Sequence, residues 1–341
     1  VAATGVSMSI AAKGLIVVVA ISTLLAIYTA IATWQVQRAY PPIGRQIEVQ
    51  GIRLHYVDVG KGPAIVLLHG VSASLRDFSA SIMDDLAINH RVIAFDRPGY
   101  GYSERPVDGW PDPSRQAALF QEALQKIGVE KPFIVGHSWA GSVVLTYILD
   151  YPKDVQGGIL LAGAINPWKG DVSWPVNVVG LPVVGDFFSA TIVFPLGQIL
   201  LDSIISRVFH PETPTLEYRA KTGAILALRP GAFQASAEDI RMLSKYLAGQ
   251  SLRYNEIENP LLLVTGENDR IVPAWNHAER LVNRLPHAKI VELEGAGHIL
   301  HHSHRTEVVR LITDFVKQVS ENTTRKAVIP RPGVPNIERR P

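Results

Sequence analysis

The chain contains no cysteine. That absence excludes a disulfide scaffold, cysteine-ligated zinc, iron–sulfur clusters and a thiol nucleophile. It leaves the redox compartment open, because a chain without thiols tolerates either. Excess charge of one sign is also lacking: 33 Lys and Arg stand against 31 Asp and Glu, a net charge of +2. Nucleic acid is therefore not expected as a partner. With 19% charged and 47% hydrophobic residues, the composition is near that of an ordinary globular protein. It excludes collagen, a disordered tail protein and a polytopic transporter. No internal repeat is present. The 341 residues exceed one ordinary domain of roughly 150, and that excess needs an explanation.

The small net charge is a sum of unequal parts. Residues 1–46 carry Lys13, Arg38 and Arg45 and no acid, whereas residues 321–341 carry five bases against Glu321 and Glu338. Each end is thus +3, leaving −4 for residues 47–320. Within the first part, residues 14–34 form a run of 21 without a charge, 16 of them apolar. As a helix it would span about 31 Å, the thickness of a bilayer core. Tyr28 and Trp34 suit an interface, and Pro41-Pro42 ends any helix. Residues 1–45 are therefore expected to be a single membrane anchor and its linker. The rival is a cleaved secretory signal with Ala30-Ile31-Ala32 as the cleavage site, although the uncharged run is longer than a usual signal core. A buried helix is the third reading. Basic residues on both flanks leave the orientation open. The tail 321–341 is rich in Pro, Arg and polar residues without periodicity, and is expected to be disordered.

Between the ends, strands and helices alternate. Segments 46–50 and 52–59 read as a hairpin around Gly51, followed by apolar strands at 64–68, 91–96, 132–135, 158–162, 261–265 and 289–293. Helices are expected at 78–87, 113–127, 139–151, 275–285 and 306–319. This pattern predicts a doubly wound, mostly parallel eight-stranded α/β sheet with an antiparallel start. The alternation breaks between 166 and 259, a stretch too long for a loop in a compact domain. It is expected to be an inserted helical cap that divides the core into 46–165 and 260–320. Because ligands in such sheets bind beyond the carboxyl ends of the strands, the cap would cover the site. Residues 172–201 hold one charge, Asp186, and are interrupted by Pro175, Pro182 and Pro195. That excludes a membrane-spanning helix there and predicts an apolar lid underside, one that could also meet membrane or lipid-like substrate.

Chemistry concentrates at three turns. Gly136-His137-Ser138-Trp139-Ala140-Gly141 follows an apolar strand and opens a helix. A serine between small neighbours at a strand-to-helix turn is a nucleophile elbow, with Gly136 and Ala140 supplying the required small positions. The helix N-terminus behind it favours developing negative charge. A hydroxyl needs a base, and His298 after Gly295-Ala296-Gly297 can exchange a proton near neutral pH. An orienting carboxylate is also needed, and Asp269, after the strand at 261–265, fits that place better than Glu267. The order Ser138, Asp269, His298 is that of α/β-hydrolases. An oxyanion hole needs two amides. Trp139 would supply one; Val71 would supply the other, after His69-Gly70.

These residues resemble the α/β-hydrolase superfamily, in its cap-bearing, serine-nucleophile branch. The resemblance covers about residues 46–320 and rests on five motifs in order: His69-Gly70, Asp96-Arg97-Pro98-Gly99-Tyr100-Gly101-Tyr102-Ser103, the elbow at Ser138, Asp269 before Ile271-Val272-Pro273, and Gly297-His298. The approach Tyr40-Pro41-Pro42-Ile43-Gly44 looks like that of membrane-anchored bacterial members. Ser138 stands where dehalogenases and epoxide hydrolases carry aspartate, which argues against both. Ala140 replaces the commoner glycine. Asn166 follows the sixth strand, where some members place the acid, which strengthens Asp269. The resemblance implies a serine hydrolase of apolar carboxylic esters, bound to the membrane through residues 14–34 or released by signal cleavage, with no cofactor and no metal. The rivals are a carbon–carbon bond hydrolase of ring-cleavage diketones, an acyltransferase and a non-catalytic binding protein. His301, His302 and His304 crowd beside His298; a polar helix start is the preferred reading over a metal site. Asp96 and Arg97 are expected to form a turn-fixing ion pair, and His69 to hold its loop. Oligomeric state is not legible.

Overall fold

The computed structural model describes residues 9–170 and 172–328, with side chains to 322. The eight strands are β1 (Arg45–Val49), β2 (Ile52–Val59), β3 (Ala64–Leu68), β4 (Arg91–Phe95), β5 (Phe133–His137), β6 (Gly157–Leu161), β7 (Leu261–Gly266) and β8 (Lys289–Leu293). They form one sheet in the order β1-β2-β4-β3-β5-β6-β7-β8. The β1–β2 and β2–β4 pairs are antiparallel and the others parallel. The inner strands read as apolar runs because both faces are covered. Alternate residues divide between two cores: Val66, Leu68, Ile134 and Leu160 face one side, Leu67, Val135, Ile159 and Leu161 the other. The first core receives the helices Pro113–Lys126 and Gly141–Asp150; the second receives the helix Arg305–Val328 through Val308, Ile312, Phe315 and Val316. The helix Pro113–Lys126 starts where Asp112 accepts from the Arg115 amide at 2.8 Å and Pro113 occupies the first turn, both favourable there.

The sheet reverses direction of growth at β3, with β4 on one side and β5 on the other. Loops leaving β3 and β5 therefore face each other across the crevice where such sheets bind ligands.

Several expected elements differ in detail. The helix predicted at 78–87 is two short ones, Arg76–Ser79 and Met83–Ala87, and the one at 275–285 is reduced to a 3-10 turn, Ala274–Asn276, and the helix Ala278–Val282. The last helix continues to Val328, past the expected start of the tail at 321; residues 329–341 lie outside the described residues. The cap prolines do not all break the helix as expected. Only Pro182 interrupts: Pro175 sits in the first turn of Trp174–Val179, where a missing N–H costs nothing, and Pro195 lies inside a helical run, just after a π turn that changes the hydrogen-bond register there. Residues Val184–Phe209 form one continuous helical run through a π turn at Ser189–Val193.

The cap lies between β6 and β7, and its last long helix, Pro230–Gln250, rests on the core. Docking is through charge. Asp239, wholly buried, accepts at one oxygen from Arg97 (2.9 Å) and the Tyr100 hydroxyl (2.9 Å), and at the other from Arg105 (3.0 Å) and the Trp110 indole (3.0 Å). Arg97 thus pairs with the cap and not with Asp96. Asp96 accepts instead from the Leu75 and Tyr102 amides and bonds His55 Nδ1 at 2.6 Å. The expected pair between sequence neighbours is not formed, because Asp96 is taken up by two amides and His55 while Arg97 reaches the cap.

Removing one member of a buried pair strands the other without compensation, at a cost of about 3–5 kcal/mol. Asp239→Ala is expected to lower the urea midpoint of unfolding correspondingly and to open the cap to limited proteolysis. An unchanged midpoint with a protease-resistant cap would refute this account of docking.

Candidate active site

Ser138 terminates β5 at φ +54, a left-handed conformation that strains a non-glycine residue by about 1–3 kcal/mol. Its neighbours show why the turn tolerates so little bulk. A Cβ on Gly136 would lie 2.7 Å from the Ala140 carbonyl oxygen, and one on Gly141 2.8 Å from Gly163 Cα. The Ala140 methyl is fully buried and accommodated. A 3-10 turn, Ser138–Ala140, leads into the helix Gly141–Asp150. The loop after β3 passes directly above: a Cβ on Gly70 would meet Ser138 Cβ at 3.1 Å. Val71, Ser138 and Trp139 line one cavity together.

His69 holds that loop. Its Nδ1–H donates to the Gly70 carbonyl (2.7 Å) and its Nε2 accepts from the Arg97 amide (3.0 Å), which requires the neutral ring. Burial, with the nearby Arg97 charge, lowers its pKa to about 4. The Trp139 side chain has two contacts. Its ring lines the cavity and lies under the Arg97 guanidinium at 4.1 Å, while its indole N–H donates to the Asp239 carbonyl of the cap at 3.0 Å.

Asp269 and His298 meet at 2.8 Å, carboxylate Oδ2 to imidazole Nδ1. The other carboxylate oxygen accepts from the Ile271 and Val272 amides at 2.8 and 2.9 Å. Burial alone would push this carboxyl up; the His298 hydrogen bond and charge and the two amides outweigh it and hold it below the ordinary range. With Nδ1 engaged, His298 presents Nε2 for proton transfer. Glu267 is exposed and accepts from the Gly295 amide at 2.8 Å, so it shapes the histidine loop from outside. The two loops press together: a Cβ on Gly266 would be 2.2 Å from the Gly297 carbonyl oxygen. From the cap, Glu212 accepts from the Gly297 amide at 2.9 Å.

The histidines after His298 part company. His301 and His302 both reach Asp77, at 2.8 and 2.9 Å, while His304 pairs with Glu212 at 3.1 Å. Asp77, His137 and His301 offer donor atoms within 4.8 Å of one another and are the residues that could hold a metal ion. Burial opposes the Asp77 charge, but the two histidines hold its carboxyl well below the usual range.

The cavity encloses about 670 Å³. Its wall is mostly apolar, with Trp139, Trp168, Ile240, Leu243 and Val272, and two exposed bases, Lys169 and Arg280, stand on it. His277, also on the wall, was not foreseen. Its Nδ1 accepts from the Ile165 and Asn166 amides at 3.1 Å each, and burial lowers its pKa to about 4. It fixes the backbone after β6, the place where Asn166 stands instead of an acid.

A family profile described as the alpha/beta hydrolase fold matches residues 63–305, and the chain belongs to that family. Among curated proteins it is similar to a 2-hydroxymuconate semialdehyde hydrolase from Pseudomonas sp. strain CF600, 26% identical over 82% of this chain and 95% of that one. It is also similar to a non-heme haloperoxidase from Rhodococcus erythropolis, 29% identical over 73% and 90%. Among solved structures, an esterase from Exiguobacterium antarcticum superposes with a TM-score of 0.66 at 21% identity, over 81% of this chain and all of that one.

His69 and His277 give a pH dependence whose sign follows from their shifts. Each titrates near 6.5 when unfolded and near 4 when folded. Between those values the unfolded chain binds protons that the native state refuses, so stability rises with pH, and each histidine costs about 2 kcal/mol at about pH 5 relative to neutrality. Urea midpoints should fall between about pH 7.5 and 5, and fall less in His277→Gln. Parallel curves for the two proteins would count against the assignment.

Proposed function

We propose that the protein is a serine hydrolase of carboxylic esters with apolar acyl or alcohol groups. The observation that carries this is Ser138, held in a strained turn on an apolar cavity, at the same end of the sheet as the Asp269–His298 pair. Ser138 Oγ attacks the ester carbonyl carbon while His298 Nε2 takes its proton. The Val71 and Trp139 amides hold the resulting oxyanion, and Asp269 stabilises the imidazolium. Collapse expels the alcohol, which takes the proton from His298. Water, deprotonated by His298, then attacks the acyl-enzyme; collapse releases the acid and expels Ser138 Oγ, which takes the proton back from His298. No step calls for a cofactor.

A second reading has a specific observation behind it. Lys169 and Arg280 on the cavity wall would suit an anionic substrate, and the semialdehyde hydrolase relative points to carbon–carbon cleavage of such compounds. The apolar wall favours esters, because it gives most of the enclosed surface no polar partner.

The helix Ile10–Ala39 supports an anchor more than a cleaved signal. Ala32 and Val36 are buried with Phe194, Leu201, Ile205, Leu226 and Ile299, so cleavage after Ala32 would uncover this cluster. Tyr102 donates to the Tyr40 carbonyl and Arg76 to that of Pro41, which ties the linker to the core. The side of the membrane is left open by this reading.

Ser138→Ala is expected to lower kcat/KM on apolar esters by at least about 10³-fold, and Asp269→Asn by a similar order through loss of the correct histidine tautomer. A serine-directed phosphonate should label Ser138 in the unsubstituted protein alone. Absence of labelling together with unchanged turnover in Ser138→Ala would sink the mechanism. If carboxylated vinylogous diketones turn over faster than any ester, and Arg280→Ala raises KM for them only, the second reading replaces the first.

A further inference from the structure

The N-terminal helix is built inside out. The residues it turns toward the rest of the protein are mostly small or polar: Ser22, Ala26, Thr29, Ala32 and Thr33 are half-buried or buried. The residues it turns outward are large and apolar: Leu15, Ile16, Val17, Leu24, Ile27 and Ile31 are at least half exposed. Water would favour the opposite arrangement. In lipid, small residues let helices approach while large ones face the acyl chains.

This inverted face packs against the cap. The helix contacts the π turn Ser189–Val193 and the helix Phe194–Phe209, and Tyr28 bonds Gln198 across the seam. The contact lies within the uncharged run: Ser22 is about 18 Å along the axis from Trp34, more than the roughly 15 Å of one leaflet of hydrocarbon. Arg38, stacked on Trp34 at 4.5 Å, marks the polar boundary. A cap element pressed against residues 22–33 of a membrane-spanning helix cannot be in water.

The cap's own outer surface agrees. On Phe194–Phe209, Leu196, Ile199, Leu200 and Ile204 form one exposed face by helical spacing. Just before it, Leu181, Val183, Val184 and Phe187 are each more than half exposed. The single charge among residues 172–201, Asp186, is bonded by Gln234 at 2.8 Å, and the next, the exposed Asp202, pairs with Arg219 at 3.0 Å. Exposed apolar surface on this scale beside an anchor has one fitting solvent.

We infer that the cap is itself embedded in the hydrocarbon layer, seated beside the N-terminal helix with residues 181–200 in the acyl region and the Asp202–Arg219 pair beyond it. The inference rests on the anchor reading and goes beyond it. The enzyme lies on the bilayer with the carboxyl ends of its strands turned toward lipid, so that the chemistry takes place at the membrane face and not on a domain tethered at a distance.

The absence of cysteine makes the test direct. Val18→Cys, Ile199→Cys, Phe187→Cys and Ile88→Cys each place one thiol at an exposed site, and Ile88, before β4, lies at the amino ends of the strands. Each full-length variant is labelled with an environment-sensitive fluorophore and reconstituted into phosphatidylcholine–phosphatidylglycerol vesicles, with or without acyl-chain nitroxide lipids. The inference expects labels at Val18, Ile199 and Phe187 to be quenched by nitroxide lipid and protected several-fold from aqueous iodide, with Ile88 behaving oppositely. Nitroxide quenching at Val18 with iodide quenching at Ile199 and Phe187 overturns the embedded cap and leaves the anchor standing. Iodide quenching at Val18 overturns the anchor and the embedded cap together. Protection of Ile199 and Phe187 from both quenchers means that protein covers this face, and overturns the assignment to lipid.

Discussion

The buried contact between Arg97 and Asp239 is the constraint on which the site depends. Four separate parts of the chain meet at the Arg97 guanidinium. The loop after β3 accepts through the His69 and Gly70 carbonyls, the helix Pro113–Lys126 through Gln116, and the cap through Asp239, while Trp139 of the elbow lies against its face. A buried ion pair is a weak source of net stability. Its contribution here is placement. A planar guanidinium satisfies only acceptors near its plane, so loop, cap and elbow are fixed relative to one another. An apolar contact of the same area would hold the cap down without setting its angle over Ser138.

Much of this was legible in the sequence and the rest was not, for physical reasons. The sheet and the Ser138, Asp269 and His298 turns announce themselves locally. Apolar runs of five or six residues end in Gly-rich turns, and the backbone geometry those turns require restricts the side chains allowed. Asp239 sits in an unremarkable helical stretch, and its partner Arg97 is 142 positions away. The Asp77–His302 contact spans 225. No spacing rule reaches that far, so Arg97 was paired with its neighbour Asp96. Prolines in the cap mislead for a different reason: Pro175 falls in a first turn, where proline is harmless, and Pro195 follows a π turn that lets the helix pass it.

The composition now has a structural distribution. The apolar excess lies in the N-terminal helix and the outer cap, on surfaces that meet each other and share a buried cluster with the loop that carries His298. Ile299, next to His298, belongs to the same buried cluster as Ala32 and Val36 of the helix. Any movement of the helix relative to the cap is therefore felt one residue from His298, through packing alone.

Behind the elbow is a polar layer whose arrangement bears on whether it is a ligand site or a scaffold. His137 Nε2 donates to the His298 carbonyl at 3.1 Å, and the His137 ring lies 4.6 Å from that of His301. Its Nδ1 and that of His301 have no hydrogen-bond partner among the described residues, which costs on the order of 1–3 kcal/mol for each buried group. Burial, with the neighbouring histidines, keeps His137 neutral by lowering its pKa well below the usual value. A cation on either Asp77 oxygen would compete with the histidine hydrogen bond already made there. The layer is better explained as a brace. Asp77 on the helix Arg76–Ser79 grips His301 and His302 on the helix Leu300–Ser303, and His137, directly before Ser138, ties to the backbone of His298. The price of two orphan nitrogens is rigidity between Ser138 and His298, the pair whose spacing the proposed proton transfer cannot relax.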